Sequence, residues 1–547
     1  MSRVGLPQLA ALAAGAVALA GAGAGCGTVG RSPAGSSEPA AAVANRGRAG
    51  GSGGTLVIGM TAANIPALDT ELSGGQGYEG IRFVGNQLYD ALTRHDLKQS
   101  GAIPRLEPGL ATSWRASPDA TRWTFTLRDG VRFTDGTPWN ADAAIFNLTR
   151  FTDPRSPYTT AALVGQAATY LSSVRSFKKI DDRTIEIDTR GPNSHLPEDL
   201  ATVFFGSPTA IKQDPSGFNN APVGTGPFEF ASESTGQELT MRRNRDYWGG
   251  AAKLDELVLK PIPDATARIA ALRSSSVNWI EYPTPDDIAG LQKGGFQVLT
   301  NSYDHVWPWV LNTASGPMKD VRVRQAINYA IDRRAMASSL LYDTAEPAYQ
   351  VAPRANSAYS AANDVYRDDP AKARQLLAAA GYPNGFSLTV EYPTSGSGNM
   401  IPAPMNEDLQ QDLASVGVRV RLMPIEWAAM LTQYVTGRMP AGVDAINISL
   451  SFMQESFWAQ SFMSASPLNV GRYRDPKVDA LLAKAQTVVD PAARGKVYGQ
   501  AARYISRDAP WLFVVNDRNP RALAPNVHGF VEPKSWFVDL TDTWVGN

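Results

Sequence analysis

The chain predicts an α/β fold in more than one domain, and three observations carry that prediction. Strand and helix signals alternate over residues 369–422. Asp369-Pro370 opens a helix whose stripe is Ala373, Leu376, Leu377 and Ala380, Gly381 stops it, Phe386–Val390 is a strand, Asp408–Val416 a helix and Val418–Leu422 a strand. At 547 residues the chain is long enough for two or three domains with cores of their own. Its 43% hydrophobic and 19% charged residues are ordinary for a globular protein.

The other elements follow in order. Residues 1–26 read as a secretory signal, with Arg3 ahead of an Ala-rich apolar stretch that ends at Gly23-Ala24-Gly25-Cys26. Residues 27–54, rich in Gly, Ser, Ala and Pro, read as a flexible tether. Thr55–Met60 is a buried strand, and a Gly-rich loop over Ser73–Tyr78 precedes a helix from about Glu79 to Leu92. Trp123, Phe125 and Leu127 alternate with polar residues, so they share one face of a strand. Asp129-Gly130 turns the chain, Val131 and Phe133 begin another short strand, and Asp135-Gly136 turns it again. Asn140 caps a helix from Ala141, Arg183–Asp188 is an alternating strand, and Leu257–Asp264 is a strand that leads into a helix over Ala265–Ser274. Val306–Asn312 is a strand, and Asp320 caps a helix on which Val323, Ala326, Ile327 and Ala330 share one face. A second Asp-Pro start at Asp475-Pro476 opens another helix, and Pro510–Val515 is the last strand.

Several functions are excluded at this level. The net charge of −1 gives no basic surface for nucleic acid. A single cysteine, Cys26, permits no disulfide framework within one chain, and four histidines without ligand spacing call for no metal. No apolar run other than the N-terminal one reaches membrane-spanning length. Walker, zincin and C-x-x-C motifs are absent, and the only G-x-S-x-G falls in the tether. No cofactor is called for, and a binding protein is expected rather than an enzyme.

Longer runs carry a family likeness. Ala111-x-x-Trp114, Ser117-Pro118-Asp119, Phe125-x-Leu127-Arg128-Asp129-Gly130-Val131-x-Phe133 and Asp135-Gly136-Thr137-Pro138 resemble the signature of the peptide/nickel group of extracytoplasmic solute-binding proteins of ABC importers (family 5). Pro222–Phe228, Arg243–Trp248, Asp320–Asp332 and Asp369–Tyr382 extend the resemblance over residues 55–540. It implies a periplasmic-binding-protein-like fold (class II, cluster C) of two hinge-linked α/β lobes. Residues 55–315 would form lobe I with an inserted subdomain at about 95–220, residues 316–505 lobe II, and residues 506–547 a return to lobe I. The crossings are expected near Leu311–Gly316 and Ser506–Val515.

The same resemblance implies capture of a peptide or peptide-like solute by hinge closure and its delivery to a membrane permease with ATPase subunits. Cys26 would be acylated and would anchor a monomer outside the cytoplasm. An oligosaccharide or other neutral organic solute is the alternative ligand, and a secreted hydrolase the alternative class. Ligand contacts are expected from Ser73, Gly75, Gln76 and Tyr78 in the Gly-rich loop. Further contacts are expected from Trp279, Glu281, Tyr282, Trp307, Trp309 and Asn312, and from Phe452, Met453, Glu455, Phe457 and Trp458. In peptide-binding relatives an Asp in lobe II pairs with the ligand's α-amino group. That position falls near Met453 here, so either Glu455 replaces the Asp or the ligand carries no free amine there.

Overall fold

The computed structural model describes residues 51–69, 78–452 and 455–546. Cys26, Ser73, Gly75, Gln76 and Met453 lie outside these. Two seven-stranded mixed sheets form the centres of two α/β lobes. In the first sheet Thr55–Met60 runs parallel to Glu256–Pro261 on one side and to Trp279–Glu281 on the other. In the second, Phe386–Pro393 runs parallel to both Val418–Ile425 and Ala445–Asn447. A separate four-stranded antiparallel sheet contains Ala111–Ala116 and Arg122–Leu127 and makes the subdomain of the first lobe. Trp123, Phe125 and Leu127 are its buried face, as period-two alternation requires. Val131 and Phe133 are also buried, but they flank an isolated bridge from Arg132 to Pro138 and form no strand, because the Gly130 and Gly136 turns leave too few residues between them.

The helix starts follow their caps. The side chains of Asn140, Asp320, Asp369 and Asp475 each accept a backbone N–H of the first turn. The family-like motifs at 222–228 and 243–248 meet at one buried carboxylate. Asp90 accepts hydrogen bonds from Thr225 Oγ1 (2.8 Å), Tyr247 OH (3.0 Å) and Trp248 Nε1 (2.8 Å). A Cβ on Gly224 would lie 2.0 Å from the Leu88 carbonyl oxygen, so only glycine lets this segment approach the helix end at Leu88.

The chain passes between the sheets twice. The strand Gln297–Leu299 belongs to the first sheet and His305–Leu311 to the second. Trp511–Asp517 pairs antiparallel with His305–Leu311 in the second sheet, and Arg521–Leu523 returns to the first. The crossings are therefore the short segments 300–304 and 518–520. Residues 311–316 begin at the far end of a second-sheet strand, and the expected return strand Pro510–Val515 is itself part of that sheet. Its apolar run reads equally as a central strand or a crossing, and pairing with the strand before it fixes it as the former.

Candidate functional site

Ligands of open α/β sheets sit beyond the C-terminal ends of parallel strands. In the second lobe those ends are Pro393, Ile425 and Asn447, with His305 beside them because its strand is antiparallel to Ala445–Asn447. In the first lobe they are Met60, Pro261 and Glu281. Buried Glu79 ties the helical segment 78–88 to that edge, its carboxylate accepting the N–H groups of Thr61 (2.9 Å) and Ala62 (2.6 Å).

Aromatic rings from both lobes meet there. Trp536 lies 5.0 Å from Tyr78, 5.7 Å from Tyr303 and 4.9 Å from His305, ring centre to ring centre. Tyr303 stacks on His305 at 5.2 Å. Gly396 and Gly398, both at positive φ, allow the loop after Pro393 to approach these rings. A Cβ at Gly398 would sit 2.4 Å from the Trp536 ring and 2.3 Å from Ser449 Oγ, and one at Gly396 2.4 Å from the Trp427 ring. His305 Nε2 shares a 2.8 Å hydrogen bond with Ser449 Oγ, and burial lowers the imidazole pKa to about 3, so the ring is neutral. Burial also raises the Tyr434 phenol to about 12 and pushes Tyr78 well up, with Tyr170 and Tyr434 adding to the Tyr78 shift. His305 Nδ1, Ser397 Oγ, Asn399 Oδ1 and Trp427 Nε1 are buried without a hydrogen-bond partner among the described residues. Buried polar atoms are almost always paired, so four such atoms on one sheet edge make that edge a candidate ligand site.

A second contact between the lobes is ionic. Arg494 of the second lobe donates to Glu198 of the first (2.6 Å) and, within its own lobe, to Glu455. It also donates to the Ser194 carbonyl at 2.9 Å. Ser456 Oγ donates to Asp199 at 2.7 Å, and Tyr498 OH and His195 Nε2 share a 2.7 Å bond. Burial raises the Glu198 and Asp199 carboxyls to about 7 each, against the pull of Arg494 on the first and of the Ser456 and Asn193 hydrogen bonds on the second. Burial drives the His195 imidazole well below its ordinary value, and Arg494 adds to that.

At the crossings, Tyr303 OH (2.7 Å) and Tyr282 OH (2.9 Å) both donate to Asp517 Oδ2. Tyr303 lies within the first crossing, Tyr282 follows the first-sheet strand Trp279–Glu281, and the carboxylate stands at the start of the second crossing. Burial raises Asp517 to about 6.

The residues expected at the site are distributed as follows. Tyr78 is in the aromatic group and Tyr282 at the crossing. Glu281 is a buried structural anion: burial alone would raise it, but Arg521 (2.9 Å) and Arg82 (2.7 Å) hold it below its ordinary value. Trp279 donates to Glu281 (2.6 Å) and packs edge-on to Phe530. Trp307 and Trp309 are buried in the second-lobe core, where Trp309 Nε1 donates to Asn406 (2.8 Å). Asn312 lies at the opposite end of its strand from His305, its N–H on the Asp444 carbonyl (2.8 Å). Phe452 and Trp458 stack at 4.7 Å within a cluster that includes Trp511 and Tyr498, and part-buried Phe457 packs against it. These tryptophans and Phe452 thus fill the cores rather than an open wall. Glu455 is held by Arg494 instead of standing free. Sequence reasoning missed Trp427, Tyr434, His305, Trp536 and the 396–399 loop. The one available signal was the Gly/Ser run Thr394–Asn399 directly after a predicted strand.

Two α/β lobes joined by two short crossings, with aromatic rings from both lobes meeting at the strand ends, define a hinged solute-binding protein. The family model "Bacterial extracellular solute-binding proteins, family 5 Middle" matches residues 105–466. The chain is 31% identical over 454 residues to heme-binding protein A of Haemophilus influenzae, covering 78% of this chain and 82% of that protein. It is 31% identical over 455 residues to the glutathione-binding protein GsiB of Pectobacterium atrosepticum, covering 79% and 85%. The periplasmic binding protein DppA of Helicobacter pylori, solved in complex with the peptide STSA, superposes with a TM-score of 0.77 at 24% identity, covering 90% of this chain and 98% of that one. The chain belongs to the bacterial extracellular solute-binding proteins, family 5. It is a non-enzymatic, extracytoplasmic component of an ABC importer, and no helix among the described residues is long and apolar enough to cross a membrane.

Proposed function

We propose that this protein captures a peptide-like solute between its lobes at the aromatic group of Tyr78, His305, Trp427, Tyr434 and Trp536, and hands it to a membrane permease as a monomer tethered through acylated Cys26. The observation that carries the site is the set of uncommitted buried polar atoms beside rings from both lobes. Rings give apolar contact and stacking, and the free imidazole nitrogen, hydroxyl, amide oxygen and indole N–H suit the donors and acceptors of peptide groups. The relatives support the class: one bears the name of a glutathione-binding protein, and a structural neighbour holds a peptide. Closure is favoured to the extent that the solute touches both lobes, and Trp536 of the first and Trp427 of the second lie on either side of the 396–399 loop.

Glu455 does not serve as the amine anchor in this reading, because Arg494 already neutralises it. The solute is therefore held by neutral contacts, and a blocked amino terminus is tolerated. The experiment is to denature the purified protein and identify co-released molecules by mass spectrometry. Free and N-acetylated peptides of the recovered class are then titrated against tryptophan fluorescence. Equal binding of both forms supports the reading, strict dependence on a free amine refutes the neutral site, and recovery of sugars refutes the peptide class. Mass analysis of the membrane-extracted protein tests acylation of Cys26.

A further inference from the structure

A groove at the opposite end of the second lobe has the chemistry of an anion site. It is a cavity of about 570 Å³ lined by Lys319, Arg324, Arg472, Tyr473, Arg474 and Asp508, with Thr313 and Ala314 at its rim. The strand His305–Leu311 runs from the solute end to this end, a span of about 20 Å at the usual rise per residue. The groove is thus separate from the cleft.

Cations outnumber carboxylates in its lining, with Asp475 behind Asp508. Lys319, Arg324, Arg472 and Arg474 make no salt bridge among the described residues, and Asp508 is the only carboxylate in the lining. Tyr473 OH donates to that carboxylate at 2.9 Å, and burial raises its pKa. Arg324 is the fixed element. It is 7% exposed, its Nε donates to the Asp508 carbonyl (2.9 Å), and its Nη1 donates to the carbonyls of Met318 (2.8 Å) and Lys319 (3.2 Å). Its Nη2 has no acceptor among the described residues, and the side chain lines the cavity. A guanidinium held by three carbonyls, with its last N–H groups free, is preorganised for an oxyanion. Arg472 and Arg474 stand either side of Tyr473, and among the described residues only a 3.5 Å contact from Arg472 Nη2 to the Gly437 carbonyl commits either of them.

We infer that this groove binds a phosphate-type oxyanion, on Arg324 Nη2 with Lys319, Arg472 and Arg474 around it. The same chemistry recognises a free phosphorylated molecule and the headgroup of an anionic phospholipid, and the test separates the two. Pyrophosphate is titrated into the full-length protein by calorimetry at matched ionic strength against chloride, and flotation is measured with phosphatidylglycerol and with phosphatidylcholine vesicles. Binding of pyrophosphate alone assigns a soluble anion, and flotation with phosphatidylglycerol alone assigns the headgroup. In either case Arg472→Gln/Arg474→Gln weakens binding about tenfold, as loss of charge-assisted contacts requires. Both positions are at the groove surface, so this variant carries the test even if Arg324→Lys fails to fold. Trp427→Ala leaves the anion affinity unchanged. Neither pyrophosphate nor phosphatidylglycerol binding above its control, or wild-type affinity in the double variant, overturns the inference.

Discussion

Two contacts between the lobes are built from opposite chemistry. Around Trp536 the side chains with unpaired atoms are neutral: an uncharged imidazole, a hydroxyl, an amide and an indole, without partners among the described residues. The charged groups there, Arg82 and Arg521, donate to the Trp536 carbonyl. Around Arg494 the groups are ionic and mostly committed, with Arg494 bonded to Glu198 and Ser456 to Asp199 across the lobes, and Glu455 to Arg494 within its own lobe. The difference separates two tasks. A site that must exchange solutes leaves polar atoms unpaired when empty, whereas a contact that only holds lobes together pairs most of its charges; here Glu198 Oε2 and His195 Nδ1 are the exceptions among the described residues. Charges buried there are costly to leave unpaired, so the ionic contact resists partial opening more than the aromatic one does.

Breaking the ionic end has the largest expected effect. Arg494→Met leaves the part-buried Glu198 and Glu455 without their cation, and a fully buried pair broken in this way typically loses about 3–5 kcal/mol, so a smaller loss within that order is expected. Urea denaturation should show this loss. Adding Glu198→Gln and Glu455→Gln to the same chain should restore much of it, because the unpaired charges are then gone. A single variant as stable as the wild type would mean that the contact carries no strain of desolvation.

The aromatic end should answer in affinity instead of stability. Trp427→Ala removes a ring and an indole donor beside the uncommitted atoms, and a central aromatic contact of this kind carries about 2 kcal/mol or more of binding, roughly thirtyfold. Titration with the co-purified solute measures it. Gly398→Ala gives an independent check, because its Cβ would meet Trp536 and Ser449 and hinder closure. Unchanged affinity in both variants would take the solute site away from this edge.

The pH dependence separates the two ends again. Asp199 and Glu198 have carboxyls raised to about 7, and Asp517 at the crossings to about 6. A carboxyl raised in the folded state binds protons more readily there than in the unfolded chain. Its contribution to stability is therefore full below about pH 4 and is lost as pH rises through the folded value of 6 to 7. The melting temperature should fall between pH 5 and pH 8, and Asp199→Asn should flatten part of that slope. A stability profile that rises over this window would contradict the assignment. His305 stays neutral over the same range and adds no pH dependence of its own to solute binding at the aromatic end.

Local rules made the elements legible. The alternation of Trp123, Phe125 and Leu127 and the caps Asn140, Asp320, Asp369 and Asp475 depend only on neighbours in sequence. The site depends on which strand ends share an edge. Gly396, Trp427, Ser449 and Trp536 are brought together by parallel pairing in the second sheet and by the C-terminal segment packing against it. No spacing in the chain announces that. Tryptophan is large and partly polar and so suits a ligand wall, yet strand sequences do not say which of two buried faces a ring enters, and Trp279, Trp307 and Trp309 enter cores. Glu455 was legible as an anion near the site but not as the partner of Arg494, thirty-nine positions away.

The smallest effect sharpens the contrast most finely. Ser456→Ala removes one hydrogen bond, from Oγ to Asp199 Oδ1 at 2.7 Å, and leaves Arg494 and its two carboxylates in place. A hydrogen bond to a charged group contributes about 1.5–3 kcal/mol, and one to a neutral carboxyl about 1 kcal/mol. With the Asp199 carboxyl near 7, the group is charged at pH 8 and neutral at pH 5. The cost of Ser456→Ala should therefore be larger at pH 8, where the serine donates to an anion, and shrink toward pH 5. Denaturation of both proteins at the two pH values measures this. If the hydroxyl only fills space, the cost will be the same at both, and the ionic end would then rest on Arg494 alone.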